Sequence, residues 1–235
     1  MIKQNIIFII FLTFLLGNVN AQETNQLDTN GKRHGIWKKN FTGTKQLRYE
    51  GQFDHGKEVG LFKFYKLIKK KSVLTATKHF DTNTNIADVT FFASNGQEIS
   101  KGKMNGKVYI GEWQYFHNKN GALMTKEFYN DKGQLHGEKQ VFYDNGKVAE
   151  QINYVNGKKE GVSTWLSLKG VKLKEFMYEN DQLHGVSKYY SGNGDLLVEG
   201  RYNRDKKTGI WKYYKNGKLV DEKDFTYVSK NPKKQ

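Results

Sequence analysis

The sequence predicts an all-β protein, an elongated antiparallel meander of about eight tandem β-hairpin repeats of about 24 residues. The first supporting observation is a repeat, because GQLHGEKQVFYDNGKVAEQINY (133–154) and DQLHGVSKYYSGNGDLLVEGRY (181–202) share one pattern 48 positions apart. The second is the alternation of aromatic and polar residues, as in GIWKYY (209–214), which indicates a strand with one buried face. The third is the recurrence of Asn-Gly, the pair that tight hairpin turns favour.

The chain begins with a predicted secretory signal, residues 1–21, followed by a predicted flexible N-terminal segment, residues 22–29. Lys3 is the only charge before an apolar run from Ile6 to Leu16, and Val19-Asn20-Ala21 offers small residues to a signal peptidase. Spanning a bilayer takes about 20 residues, so this run is too short for a permanent anchor. We therefore expect an exported protein, periplasmic, on the outer surface or secreted, with no transmembrane span after signal cleavage.

Composition favours thin aromatic strands over a thick two-layer core. Hydrophobic residues make up 37% of the chain and aromatic residues 14%, with 24 glycines and a single proline. Because cysteine is absent, disulfides, thiolate metal sites and lipidation at cysteine are excluded. The formal net charge of +15 at pH 7 favours anionic partners, and the expected export argues against nucleic acid as a partner.

A glycine opens each aromatic stretch and serves as the origin of the repeat. Successive origins are separated by 25, 51, 26, 24, 24 and 24 residues, and Ala87 in ADVTFFASNG (87–96) fills the long gap. The chain therefore holds eight copies in a repeat domain at 30–225, followed by a predicted basic flexible tail at 226–235. We expect the origin glycines to be structural residues of the repeat: Gly35, Gly60, Gly111, Gly137, Gly161, Gly185 and Gly209.

Further columns follow the same register. An aromatic or methionine residue stands seven positions before most origins, and Tyr154, Tyr178 and Tyr202 are expected to be structural residues of this column. The residue three positions after the origin is polar in every copy, and every tryptophan stands two or four positions after it. Each copy has room for two strands of about six residues. A lone hairpin is unstable in water, so neighbouring hairpins are expected to bury each other's aromatic columns.

Two segments resemble a known repeat. YEGQFDHGKEVGLFKFY (49–65) and VEGRYNRDKKTGIWKYY (198–214) look like units of the MORN-repeat family in their glycine and aromatic positions. The Asn-Gly-Lys turns and the 24-residue spacing are more similar to the bacterial MORN-repeat variant, which includes antitoxin-like proteins. The resemblance covers roughly residues 30–225. It implies a ribbon-like sheet of hairpins with a binding or scaffolding role, and it carries no catalytic residues.

Candidate chemical groups are repeated along the chain and are not gathered at one place. His34, His136 and His184 each precede an origin glycine, and His136 and His184 would lie about 19 Å apart, too far to share a metal. No phosphate-binding loop with a following helix is present. We therefore predict no enzyme, no catalytic or metal-binding residues and no cofactor. Acidic residues of the return strands are expected to pair with lysines across strands: Glu127, Glu150, Glu175, Glu199 and Glu222.

Two classes of binding function remain, and the resemblance adds a third. The first is an exported, non-enzymatic repeat scaffold that binds an envelope protein or an anionic surface, either lipid or acidic polymer, through Lys69, Lys70 and Lys71. The alternative is a glycan or cell-wall binder with aromatic cages, for which Trp113 and Trp211 are the candidates. The third is antitoxin-like neutralisation of a partner toxin. The tryptophan column is interrupted in three copies, by Lys139, Ser163 and Ser187.

Export can be tested directly on the protein from its natural host. N-terminal sequencing of the mature protein should begin at or near Gln22, because a signal peptidase is expected to cleave after Ala21. Recovery from the cytosol of a chain that still starts at Met1 would contradict the prediction.

Overall fold

A computed structural model describes residues 23–226 of the chain. The predicted signal at 1–21 and residues 227–235 of the predicted tail lie outside this range. All regular structure between residues 23 and 226 is β-strand. A search of the same residues found no helix with the length and apolar character needed to cross a membrane.

The described residues form 17 strands. They are β1 (Gln26–Leu27), β2 (Arg33–Asn40), β3 (Leu47–Asp54), β4 (Lys57–Ile68), β5 (Lys71–Phe80), β6 (Ile86–Phe92), β7 (Glu98–Asn105), β8 (Val108–Phe116), β9 (Leu123–Tyr129), β10 (Gly137–Phe142), β11 (Val148–Val155), β12 (Lys158–Leu166), β13 (Lys172–Glu179), β14 (Gln182–Tyr190), β15 (Leu196–Asn203), β16 (Lys206–Lys215) and β17 (Lys218–Asp224).

The strands form one open antiparallel sheet in which each strand pairs with the next along the chain. From β2 to β17 the chain folds into eight successive hairpins, which confirms the predicted meander of hairpin repeats. At the N-terminal edge, Gln26 and Leu27 pair with His34 and Arg33, so part of the segment expected to be flexible forms an edge strand. Neighbouring strands lie about 4.8 Å apart, so the sheet extends roughly 75 Å across its strands.

The origin glycines introduce a local irregularity that recurs along the sheet. All of them have a positive φ, from 62° at Gly111 and Gly209 to 100° at Gly185, a backbone region that favours glycine. Where Gly111 meets the preceding strand, the pairing register shifts between Gly102 and Lys103, and comparable shifts accompany other origin glycines. At Ala87, which lacks a positive φ, the pairing with the preceding strand is continuous. The glycines therefore create the β-bulges that bend this sheet.

Two kinds of hairpin turn connect the strands. Asn156 and Gly157 both have positive φ, as a two-residue type I′ turn requires, and they join two neighbouring repeats. In the turn at Asn145-Gly146 only the glycine has a positive φ, and the Gly146 amide donates to the Tyr143 carbonyl at 2.8 Å. The expectation that Asn-Gly pairs supply left-handed turn residues is confirmed at both kinds of turn.

Hydrophobic burial occurs on one face of the sheet and is local to neighbouring strands. Trp113 packs with Ala87, Val89 and Met104 in one cluster drawn from β6, β7 and β8. Trp211 is fully buried at the other end, where its ring lies 5.0 Å from that of Tyr202 and 6.2 Å from that of Phe225. Its indole Nε1 donates to the Arg201 carbonyl at 3.2 Å. Each tryptophan is thus held by residues from its own and the adjacent strands.

Because stabilising contacts run between neighbours, the effect of a core deletion should be local. Trp211→Ala removes a buried aromatic side chain, a change that typically costs about 3–5 kcal/mol. Amide hydrogen exchange should then increase in β14 to β17 and stay unchanged in β8 to β11. The matched change Trp113→Ala should produce the complementary pattern, with faster exchange centred on β6 to β9. A uniform loss of protection in both variants would instead indicate one cooperative core.

Candidate binding surface

One row of side chains crosses the buried face from strand to strand, and we call it the packing row. Cross-strand registers and side-chain contacts connect each member to the next. The packing row consists of Trp37, Gly51, Phe62, Lys78, Val89, Gly102, Trp113, Glu127, Lys139, Ile152, Ser163, Phe176, Ser187, Gly200, Trp211 and Lys223.

Large rings in the packing row lie over glycines of the preceding strand. A Cβ added at Gly102 would stand 2.5 Å from Cδ2 of the Trp113 ring, closer than any real side chain approaches. Tyr109 stacks on the other side of Trp113, with ring centroids 3.9 Å apart and planes 10° apart. Gly51 under Phe62 and Gly200 under Trp211 repeat this arrangement. A single-layer sheet can bury a whole indole in this way, because the ring occupies the space that a side chain would fill.

In the middle of the C-terminal half, the large and small residues of the packing row exchange strands. Here the small residues stand two positions after the origin, and the large ones stand on the return strands. Ile152 pairs with Ser163, and Phe176 pairs with both Ser163 and Ser187. Ser163 and Ser187 are 1% and 0% exposed, and Phe176 contacts Trp165 and Tyr189 at ring distances of 5.1 Å each. The apolar row is therefore continued through these copies by residues of the opposite strands.

A buried polar cluster lies between the hairpins with a ring over glycine around Trp113 and the hairpins with a buried serine at Ser163 and Ser187. The Lys139 ammonium lies 2.7 Å from one Glu127 carboxylate oxygen, and Tyr129 donates its hydroxyl to the other at 2.6 Å. Because the Tyr129 proton is engaged, Tyr115, 3.3 Å away, donates to the Tyr129 oxygen. Burial raises the pKa of Tyr115 to about 12, and burial together with the bond to Glu127 raises the pKa of Tyr129 well above its usual range. Both phenols therefore stay protonated at physiological pH.

A second row, the polar row, crosses the opposite face without a break from β2 to β17. Consecutive members are direct partners in the strand registers, and none of them is apolar. The polar row consists of Lys38, Glu50, Lys63, Thr77, Thr90, Lys101, Gln114, Lys126, Gln140, Gln151, Thr164, Glu175, Lys188, Glu199, Lys212 and Glu222.

Opposite charges alternate at both ends of the polar row. Glu175, Glu199 and Glu222 alternate with lysines at the C-terminal end, as expected from sequence. Glu127 and Glu150 do not join them: Glu127 lies in the packing row, and Glu150 pairs with Trp165. The strand registers place both carboxylates on the packing-row face, where Glu127 makes the predicted cross-strand pair with Lys139, whereas the lysine pairing predicted for Glu150 is wrong.

Aromatic hydroxyls reinforce the outer acidic positions of the polar row. Tyr65 donates its hydroxyl to Glu50 and Tyr214 donates to Glu199, both at 2.7 Å. Burial, followed by the bond to Glu50, raises the pKa of Tyr65 to about 12. The hydrogen bond to Glu199 is the largest cause that raises the pKa of Tyr214. The same tyrosine–glutamate contact thus recurs near the two ends of the sheet.

Comparison with known sequences connects this geometry to a family. Residues 135–156 and 183–204 match the family described as MORN repeat variant. Two hairpins of this sheet are therefore similar to the MORN repeat variant. Each matched segment covers one hairpin, β10–β11 or β14–β15, and the registers of the remaining hairpins follow the same arrangement. No curated protein matches the chain.

The structural residues predicted for the MORN-variant repeat occupy equivalent positions in the fold. The origin glycines stand in the left-handed region described above. Tyr154, Tyr178 and Tyr202 lie two positions beyond the packing-row residues of their strands, on the same face, and are half-buried. Burial is the first cause that raises the pKa of each of these phenols above its ordinary value. They cover the edges of the packing row.

Trp113 and Trp211 are not available as the exposed walls of an aromatic cage in this structure. Both side chains are 0% exposed. Trp113 is covered by Tyr109, and the Lys207 ammonium lies 4.1 Å from the Trp211 ring centroid. Both tryptophans are packing residues of the sheet.

Lys69, Lys70 and Lys71 stand together at the tip of the β4–β5 hairpin, and all are exposed. β4 continues to Ile68, eight positions after its origin glycine, whereas β8 and β14 end five positions after theirs. The hairpin therefore projects by three additional residues, or about 10 Å. One residue pair from the turn, the Ser72 amide donates to Gln46 Oε1 at 2.8 Å and the Ser72 hydroxyl donates to the Leu47 carbonyl at 2.7 Å.

Two of the three histidines that precede origin glycines contact the next turn between repeats, and the third contacts the strand before it. His34 Nδ1 accepts from the His55 amide at 3.4 Å, and His136 Nδ1 accepts from the Asn156 amide at 3.5 Å. His184 Nδ1 lies 3.4 Å from a Glu179 oxygen. Sequence reasoning missed that the His34 position brings a second imidazole, His55, from 21 residues away. His136 and Asn156 make the equivalent contact at another turn. Comparing the repeats could therefore have indicated that His55 lies against His34.

The fit between ring and glycine in the packing row predicts that the stability of the protein depends strongly on side-chain size at the glycine positions. Gly102→Ala should lower the free energy of unfolding by about 1–3 kcal/mol, because the new methyl group overlaps the Trp113 ring. Gly192→Ala is the matched control, since Gly192 has an ordinary φ and no neighbour within 4 Å of an added Cβ. Chemical denaturation should show that Gly102→Ala combined with Trp113→Val is less destabilising than the sum of the single changes. Strict additivity would mean that the two positions do not share this contact.

Proposed function

We propose that this protein is an exported, non-enzymatic binding scaffold of MORN-variant repeats that attaches to an anionic surface of the cell envelope through the β4–β5 tip. The repeat architecture supports a binding scaffold, because it presents a long, regular surface and gathers contacts from many hairpins. Export and the envelope location rest on the signal-like sequence at 1–21.

The observation that carries the proposal is the group of unpaired lysines at the projecting tip. Lys69, Lys70 and Lys71 are consecutive and exposed, and Lys66 lies on the same projection. Among residues 23–226, six lysines pair with carboxylates, as Lys103 does with Asp88 at 2.8 Å, and the tip lysines belong to those that make no ion pair. A cluster of like charges without counterions favours binding to an anionic surface.

The backbone of the tip supports a role for these side chains. Lys69 and Lys70 have φ of 47° and 62°, so both occupy left-handed positions. Asn-Gly is the favoured pair in such a turn, and the chain uses it at Asn156-Gly157 and Asn216-Gly217. A non-glycine residue in this region costs about 1 kcal/mol. The sequence thus retains two lysines where a more stable turn is available, as expected when their charge has a use.

The net positive charge of the whole sheet adds to the attraction between the protein and an anionic surface. Removing the four lysines outside the described residues, Lys3, Lys230, Lys233 and Lys234, from the surplus of 15 leaves 11 positive charges on residues 23–226. Exposed charges act over about 8 Å at physiological ionic strength, so an anionic surface has to approach the tip closely. The glycan and antitoxin alternatives lack a comparable observation, and the buried state of Trp113 and Trp211 disfavours an aromatic cage.

Sedimentation with lipid vesicles tests the proposal. The mature protein should sediment with phosphatidylglycerol vesicles at low salt, stay in solution with phosphatidylcholine vesicles, and be released by about 0.5 M NaCl. Substituting Lys69, Lys70 and Lys71 by Gln should reduce the bound fraction several-fold. The control triple variant Lys119→Gln, Lys132→Gln and Lys147→Gln removes the same charge from three separate exposed turns and should bind nearly as the wild type does.

Equal loss of binding in both triple variants would contradict attachment through the tip and leave only a diffuse charge effect. Salt-resistant retention on purified cell-wall glycan, without binding to anionic vesicles, would favour the glycan alternative. A turn variant gives an independent check: Lys69→Asn with Lys70→Gly should raise the free energy of unfolding by about 1 kcal/mol while weakening vesicle binding. Variants that lose binding through misfolding would not show that gain in stability.

A further inference from the structure

Two imidazoles and a carboxylate meet at the N-terminal end of the sheet. His34 lies at the start of β2, and Asp54 and His55 lie at the turn between β3 and β4. The Asp54 Oδ1 atom stands 3.6 Å from His34 Nδ1 and 3.8 Å from His55 Nε2. One possible ligand atom from each residue lies within 4.8 Å of the other two. Three lone-pair-bearing atoms therefore converge on one small volume.

The distance from Asp54 to each imidazole is close to the spacing of ligands around a tetrahedral metal ion. Bonds of about 2.0–2.2 Å place neighbouring ligand atoms about 3.3 Å apart. The two distances to Asp54 exceed this value by only a few tenths of an ångström. All three residues are exposed, so small side-chain rotations can close the difference without disturbing the sheet.

A fourth residue, Asp28, orients His55 from the opposite side of its ring. The Asp28 Oδ2 atom lies 2.6 Å from His55 Nδ1, and Oδ1 accepts from the Asn30 and Lys32 amides at 2.8 and 2.9 Å. The Asp28 side chain is only 6% exposed. A carboxylate that holds Nδ1–H leaves Nε2 as the free lone pair, which is the usual arrangement of a carboxylate–histidine–metal triad.

The equivalent turn at Asn156-Gly157 shows which residues are needed when a histidine only supports the turn. His136 accepts from the Asn156 amide just as His34 accepts from the His55 amide. At that turn the positions of Asp54 and His55 are occupied by Val155 and Asn156, which provide neither a carboxylate nor an imidazole. Support of the turn therefore accounts for His34 and leaves Asp54 and His55 unexplained.

We propose that His34, Asp54 and His55 form a binding site for a divalent late first-row transition metal ion, represented by Zn²⁺, with Asp28 as the residue that positions His55. Two imidazole nitrogens and one carboxylate oxygen suit Zn²⁺, Cu²⁺ and Ni²⁺ better than Mg²⁺ or Ca²⁺, which prefer oxygen ligands. Three protein ligands leave a fourth position open. A bound ion would join β2 to the β3–β4 turn.

Isothermal titration of the chelator-treated protein with Zn²⁺ tests this site. One equivalent should bind, and millimolar Mg²⁺ should not compete. His34→Asn, His55→Asn and Asp54→Asn should each weaken the affinity at least about tenfold, and Asp28→Asn by about tenfold through loss of orientation. His136→Asn and His184→Asn, which change histidines at the equivalent position of other hairpins, should bind Zn²⁺ as the wild type does.

Nitrogen NMR of the imidazoles identifies the ligand atoms. Zn²⁺ should shift a ring-nitrogen resonance of His34 and the His55 Nε2 resonance and leave those of His136 and His184 in place. Unchanged affinity in Asp54→Asn, whose side chain is exposed and outside the packing row, would overturn the proposal even if a histidine variant folded poorly. Absence of saturable Zn²⁺ binding up to about 1 mM, or full binding by the His34→Asn, His55→Asn double variant, would overturn it as well.

Discussion

Size complementarity between neighbouring strands is the constraint on which the rest of this structure depends. A single-layer sheet has no second layer to cover its apolar face, so a large ring can be buried only within the sheet's own contours. Trp113 achieves this by contact with Gly102 of the adjacent strand below and with Tyr109 of its own strand above. Each strand therefore limits what its neighbour can carry. The origin glycines add the bulges that bring rings and covering residues together.

The residues that stabilise the fold and the residues available for binding lie on different parts of the same hairpins. The packing-row face holds the buried rings, whereas the polar row and the projecting tip face solvent. Because side chains alternate between faces along a strand, a change at a polar-row position leaves the packing row intact. The polar face also carries exposed apolar residues at its C-terminal end, including Val162, Val186 and Ile210, next to the alternating charges of Glu175 to Glu222. Such a surface can vary without loss of the fold.

Much of the architecture could be predicted from sequence because the repeat makes local signals redundant. The glycine spacing, the alternation in segments such as 209–214, and the Asn-Gly turns each indicated hairpins, and the structure has eight of them. Contacts across strands were harder to predict. Lys139, Ser163 and Ser187 were interpreted as interruptions of the tryptophan column, whereas Ile152 and Phe176 fill the space from the opposite strands. That compensation depends on exact register, which a pattern along one strand does not specify.

The candidate metal site escaped prediction for the same reason. Histidines were compared at one repeat position only, and His55 occupies a different position that a turn brings against His34. Similarly, the sequence grouped Glu127 with the other return-strand glutamates, whereas the structure places it on the opposite face, beside Lys139. The general fold followed from repeated signals, and the specific sites followed from single departures from the repeat.

The polar cluster of Glu127, Lys139 and Tyr129 has a consequence for how the array can change in length during evolution. Duplication or loss of a hairpin preserves the fold only if the new neighbours present complementary sizes at their junction. Copies with a ring over glycine can replace one another, and so can copies with serine beside Ile152 or Phe176. An unequal crossover between these two groups would oppose ring to ring unless the junction carries a residue that fits both, as Gly200 does between Ser187 and Trp211. The Glu127–Lys139 ion pair and Gly200 are therefore the two junctions at which the sheet changes from one kind of hairpin to the other.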